Sequence, residues 1–96
     1  STVLKIKWSM KTIDFTKLKG EDLFWYFTND YPDEDYSSVV QLLPYATMDI
    51  EKAYEILERI VREGKKLVAV YPFLEETDTS KMEYVGSIMD GGLYIE

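Results

Sequence analysis

The chain contains no histidine and no cysteine in its 96 residues. Without histidine there is no imidazole general base and no imidazole zinc ligand. Without cysteine there is no thiolate nucleophile and no disulfide. Asparagine and glutamine occur once each, as Asn29 and Gln41. No apolar run approaches the roughly 20 residues needed to cross a bilayer. The lysines near the N-terminus are not followed by the apolar stretch of a secretion signal. A soluble, cytoplasmic protein is expected, and the absence of Cys suits a reducing compartment. Scarce Asn and Gln beside plentiful Glu, Lys, Ile and Tyr lean towards a thermophilic source. The small, acidic, aromatic-rich make-up is also of the kind met in compact viral or plasmid genomes.

Positive charge is the other scarcity. Eleven Lys and Arg stand against 18 Asp and Glu, for a net charge of −7. Nucleic acid and anionic lipid both require a positive field, so neither is expected as a partner of the surface as a whole. The imbalance is also segregated. Residues 1–19 hold five Lys and one Asp, whereas residues 20–58 hold ten acids and one Lys. Residues 59–66 return to a net of +3 and residues 67–96 to −5. Such blocks permit head-to-tail or self-complementary contacts, and the overall acidity favours a basic partner or simply solubility.

What is present is a globular composition, 46% hydrophobic and 15% aromatic. At this length it makes one domain spanning residues 1–96, with a core large enough to need no staple. Thr2 to Trp8 alternates, with Leu4, Ile6 and Trp8 opposite Lys5 and Lys7, which predicts a half-buried strand. Ser9 to Lys19 reads as a loop of partly extended character. Gly20-Glu21-Asp22 before Leu23-Phe24-Trp25-Tyr26-Phe27 suits a helix start followed by a buried run. A strand competes there, because aromatics favour sheets. Pro32 is expected at the first position of a second helix, whose face is Tyr36, Val39, Val40 and Leu43, with Pro44 stopping it.

Residues 49–63 carry the clearest pattern. Asp49 caps, Met48 staples, and Ile50, Ala53, Tyr54, Leu57, Ile60 and Val61 form an apolar stripe. Glu55–Arg59 and Glu58–Arg62 are favourable pairs one turn apart. Gly64 ends the helix, with Arg62, Lys65 and Lys66 at its negative pole. Leu67 to Tyr71 is apolar on both faces, as in a central strand, and Pro72 ends it. A polar, acidic loop follows over Glu75 to Ser80. Residues 81–89 and 92–96 read as a hairpin about an Asp90-Gly91 turn. That register puts Met82, Tyr84, Ile88, Leu93 and Ile95 on one face, with Gly86 admitting a helix side chain or marking a bulge. The expected fold is α+β: about four mostly antiparallel strands with two or three helices packed on one face.

Few constellations carry chemistry. Asn29–Asp35 looks like a calcium loop but has Glu34 where the turn glycine belongs and Val40 where the closing glutamate belongs. Gly91-Gly92 lacks the lysine and the following helix of a phosphate loop. Carboxylate pairs are too common in an acidic chain to mark acid–base catalysis. No catalytic residue, metal or cofactor is expected, and the chain reads as non-enzymatic.

Two surfaces stand out instead. Asp30, Tyr31, Asp33, Glu34, Asp35 and Tyr36 combine four carboxylates with two tyrosines, a residue type enriched at interfaces. This segment is the expected contact for a basic protein partner, as in an inhibitor or adaptor, including one whose acidic surface imitates a DNA backbone. Val68, Val70, Val85 and Tyr94 should point away from the helices, which makes the outer sheet face an expected homodimer surface. A third reading uses Lys5, Lys7, Lys11, Lys17 and Lys19 with Trp8 and Phe15 as a basic aromatic surface for single-stranded nucleic acid.

Overall fold

The computed structural model describes residues 5–8, 11–72 and 77–96, with residues 5–8 and 11–13 given as backbone course alone. The chain is α+β. Strands β1 (Lys5–Trp8) and β2 (Lys11–Asp14) form an antiparallel ribbon with Lys5 opposite Asp14 and Trp8 opposite Lys11. A short 3-10 turn at Phe15–Lys17 leads to α1 (Gly20–Trp25), which widens into a π-helical turn at Tyr26–Asp30. Helices α2 (Glu34–Gln41), α3 (Leu43–Thr47) and α4 (Ile50–Glu63) follow. Strands β3 (Leu67–Val70), β4 (Glu83–Ile88) and β5 (Gly91–Ile95) form an antiparallel sheet in the order β3-β5-β4.

The sheet therefore has three strands rather than about four. The predicted N-terminal strand pairs with the segment that directly follows it, where the closing loop is shortest and costs least entropy. Part of Ser9–Lys19, read as a loop, supplies that partner. Thr2–Leu4, Ser9–Met10 and Glu75–Glu76 lie outside the described residues. So does the facing of Ile6 and Trp8, and with it the basic aromatic surface around Lys5, Lys7 and Lys11.

Helix α4 follows the sequence pattern closely. The Asp49 carboxylate accepts the Glu51 and Lys52 N–H groups, at 3.0 and 3.4 Å. Gly64 closes the helix with a left-handed φ of 67°. Leu57, Ala53, Ile60 and Val61 are buried, joined by Ile56, which the stripe omitted, while Ile50 lies at the exposed edge. Met48 does not staple: its backbone is left-handed and its side chain is 88% exposed. Arg59 does not pair with Glu55. It bridges instead through Nε to Glu63 and, through both terminal guanidinium nitrogens, to Glu83 of β4.

Two prolines play other parts than expected. Helix α2 begins after Pro32, because the Asp33 carboxylate accepts the Tyr36 N–H at 3.0 Å and takes the capping position. Pro44 opens α3 rather than ending the path, since the first turn of a helix needs no N–H from it.

Strand β3 is an edge, not a centre. Its outward side is covered by α2, whose Tyr36 hydroxyl accepts the Leu67 N–H at 3.4 Å. The hairpin is shifted from its predicted register: Ile88 faces Gly91, so Met89 and Asp90 make the connection, with Asp90 at φ 59°. Gly91 is used inside the sheet, where a Cβ would overlap the Val70 carbonyl. Pairing shifts again between Tyr84 and Gly86, a bulge at Val85 that turns Tyr84 to the outer face beside Tyr94. Met82 lies before the strand begins. Gly86 is buried where a Cβ would collide with the Ala46 carbonyl, so α3 presses its backbone against β4.

One core joins the layers. Phe15, Leu23, Phe27, Val40, Leu43 and Leu57 on the helical side meet Leu67, Leu93 and Ile95 on the inner sheet face. Among the described residues no helix is long and apolar enough to cross a membrane.

Candidate binding groove

The acidic segment at 30–36 divides between structure and surface. Tyr31 and Tyr36 belong to an aromatic cluster: the Tyr31 ring lies 5.0 Å from Phe27 and 5.5 Å from Tyr36. Phe15 and Tyr26 complete that cluster. Burial pushes the Tyr36 hydroxyl up to about 12, even though the Leu67 N–H favours its anion. Burial likewise raises Tyr31. Asp33 is the helix cap. The side chains left facing solvent are Asp30, Glu34 and Asp35.

The outer sheet face carries Val68 opposite Tyr94 and Val70 opposite Gly92, with Tyr84 opposite Tyr94 on the other side. Val68, Val70 and Tyr94 are half-buried and Tyr84 is 56% exposed. Val85, placed at the bulge, packs against the core instead.

A groove of about 540 Å³ runs between α1 with its π-helical turn and the paired α2 and α3. On one wall, the Trp25 indole N–H donates to the Glu21 carboxylate one turn back, at 3.1 Å. This bond fixes a ring that is otherwise 51% exposed. The Phe24 ring meets Trp25 edge-on, at 5.6 Å. Thr28 and Asn29 lie one turn on from Phe24 and Trp25 and share the same wall. The opposite wall carries Ser38 and Gln41 from α2, then Tyr45 from α3, whose ring is 74% exposed. Leu42 and Pro44 complete the apolar lining. The walls are stitched together by the Ser37 hydroxyl, which donates to the Thr28 carbonyl at 3.1 Å.

The polar groups of the groove are biased. Thr28 donates its hydroxyl proton to the Phe24 carbonyl at 3.0 Å, and Ser38 donates its own to the Glu34 carbonyl at 2.9 Å. Each hydroxyl has one proton, so both are left with acceptor lone pairs. Asn29 and Gln41 are exposed, and their carboxamides make no hydrogen bond to another described residue. They are also the chain's sole Asn and Gln. Electrostatics point the same way: residues 20–51, which include the whole lining, hold eight carboxylates and no Lys or Arg.

The sequence pattern missed Trp25 and Tyr45. The run at Leu23–Phe27 read as buried on most sides, but helical spacing turns Trp25 outward while Leu23, Tyr26 and Phe27 go in. The legible signal was a cation-free stretch that holds both carboxamides. Among the described residues no three potential metal-ligating side chains gather. Comparison with family models, with curated proteins and with solved structures finds no match in any of the three.

Proposed function

We propose that the chain is a non-catalytic interaction protein that binds a basic protein partner through the acidic helical face around this groove. The observation that carries the reading is the exclusion of every Lys and Arg from residues 20–51, the stretch that builds an open groove with exposed aromatic walls. A field of one sign steers an oppositely charged partner and mainly sets the association rate. Aromatic rings at the surface supply contact area at low entropy cost.

The test uses two fluorescein-labelled peptides of alternating lysine and glycine or alternating glutamate and glycine. The basic peptide should bind and the acidic one should not. Association should slow with added salt, because screening acts over about 8–10 Å near physiological ionic strength. Asp30→Asn, Glu34→Gln and Asp35→Asn together should lower the on-rate by about tenfold and cost no more than about 2 kcal/mol in denaturant melts, the share of Glu34 and Asp35 in the first turn of α2, with the Asp33 cap kept. Equal binding of the two peptides, or binding indifferent to salt, overturns the reading.

A second reading is a homodimer through the outer sheet face. It is favoured by the cross-strand row Val68, Tyr94 and Tyr84, which the register places on the side opposite the core.

A further inference from the structure

We propose that the groove between α1 and the α2–α3 pair is an arginine site, which takes a guanidinium of the partner against Trp25 and Tyr45. The proposal rests on the reading above, that the partner is basic, and adds which basic side chain enters and where.

The first argument is the sense of the hydrogen bonds. A guanidinium brings five donors and no acceptor. Thr28 and Ser38 have spent their protons on helix carbonyls and offer acceptors alone. The carboxamide oxygens of Asn29 and Gln41 are unengaged among the described residues and add two more. The carboxamides also carry N–H donors, but an anion would meet a surrounding field of its own sign.

The second argument is the ring. An indole face is the best aromatic platform for a cation. Trp25 is held by the Glu21 carboxylate at its N–H, so its polar atom is satisfied before a ligand covers it. The same bond puts a negative charge at the ring edge, which strengthens the attraction of the ring for a cation. The ring is thereby pre-organised, and little freedom is lost on binding.

The third argument separates arginine from lysine. No carboxylate is among the residues lining the groove, and that of Glu21 is engaged at the indole N–H. A lysine ammonium is a compact, strongly hydrated charge, and neutral acceptors replace its water poorly. A guanidinium is planar, weakly hydrated and stacks on aromatic faces. At about 540 Å³ the groove has room for the whole side chain and part of the backbone that bears it.

The experiment compares three labelled peptides against the full chain: alternating arginine and glycine, alternating lysine and glycine, and alternating citrulline and glycine. The arginine peptide should bind at least about fivefold tighter than the lysine peptide of equal charge. The citrulline peptide, of matching shape but neutral, should fall below both. In a Trp8→Phe background, where Trp25 is the one indole left, the arginine peptide should change the tryptophan emission. Trp25→Ala should reduce arginine binding to the lysine level. Gln41→Ala, at an exposed residue whose carboxamide has no partner among the described residues, should lower it without touching the melt. Equal affinity for the arginine and lysine peptides, with Trp25→Ala and Gln41→Ala both silent, overturns the arginine site but leaves the interaction reading standing. Failure of both basic peptides to bind overturns the two together. Citrulline binding equal to arginine binding shows a neutral-amide groove and also overturns the site.

Discussion

Leu57 has no exposed surface and lies at the middle of α4, facing the sheet residues Leu67, Leu93 and Ile95 through a shared core. Removing its branched end leaves a space that close-packed neighbours refill only in part. Leu57→Ala should lower stability by about 2–5 kcal/mol in urea melts. Ile50, on the same helix but at its exposed edge, should lose no more than about 0.5 kcal/mol on replacement by alanine, as surface positions usually do. Equal losses at the two positions would place the buried face of α4 elsewhere. Gly86 poses the opposite problem. Gly86→Ala would drive a methyl group into the Ala46 carbonyl, and backbone cannot turn aside as a side chain can. A loss of about 1–3 kcal/mol is expected. An unchanged urea midpoint would show that α3 does not press on β4 at this point.

Helix α2 links the acidic segment to the sheet, and its first turn makes two separable predictions. At the start, Asp33→Ala removes the acceptor for the Tyr36 N–H and should cost about 0.5–2 kcal/mol in denaturant melts. One turn on, the Tyr36 hydroxyl seals the outer edge of β3. Its folded value of about 12 lies above the ordinary tyrosine value of 10.0, so folding favours the protonated form. Stability from this group is therefore complete below about pH 10 and is lost as pH rises towards 12. The urea midpoint should stay level through the neutral range and fall over that window. Tyr36→Phe should make the fall shallower, and an equally steep fall in that variant would remove Tyr36 from the account. Elements whose ends are set by local chemistry were legible in the sequence: α4 has its cap, stripe and closing glycine within one continuous stretch. The hairpin register was not, because it answers to backbone distant in sequence: Gly91 lies against the Val70 carbonyl and Gly86, beside the bulge, against that of Ala46. Strand β3 read as central because its residues are apolar on both faces. Its actual cover, Tyr36, comes from 31 residues away. The groove was illegible for a related reason: its walls, α1 with the turn after it and the α2–α3 pair, meet only in the packed fold. Asp30, Glu34 and Asp35 read correctly as exposed charges, whereas Tyr31 and Tyr36 had the core as their destination.

The molecule has two candidate contact faces, one on its helical layer and one on the outer face of its sheet. The helical layer presents the cation-free groove, and the far side of the sheet presents valine and tyrosine. The two faces can therefore be occupied independently, and the second copy expected at the sheet face is testable without any partner at the groove. Val68, Val70 and Tyr94 are half-buried, and Tyr84 adds an exposed ring 5.5 Å from Tyr94. Tyr84 satisfies its own hydroxyl with Ser87 at 2.6 Å, so covering the ring need not strand a polar group. Two such faces stacked in a dimer would remove apolar area from water at about 25 cal/mol per Å². At a net charge of −7 per chain, repulsion opposes that association, and salt relieves it. The dimer reading thus predicts sedimentation as a dimer at micromolar concentration, with the dimer fraction rising as salt is added. Val70→Lys should give a folded monomer, since a lysine at a half-buried outward position can reach water in the free chain but not within a stacked face. The salt response has the opposite sign to that of the groove, where added salt weakens a basic peptide. A wild-type chain that sediments as a monomer at every salt concentration would exclude the dimer. Loss of fold in Val70→Lys would show that Val70 belongs to the core rather than to an interface, and would exclude the dimer through this face.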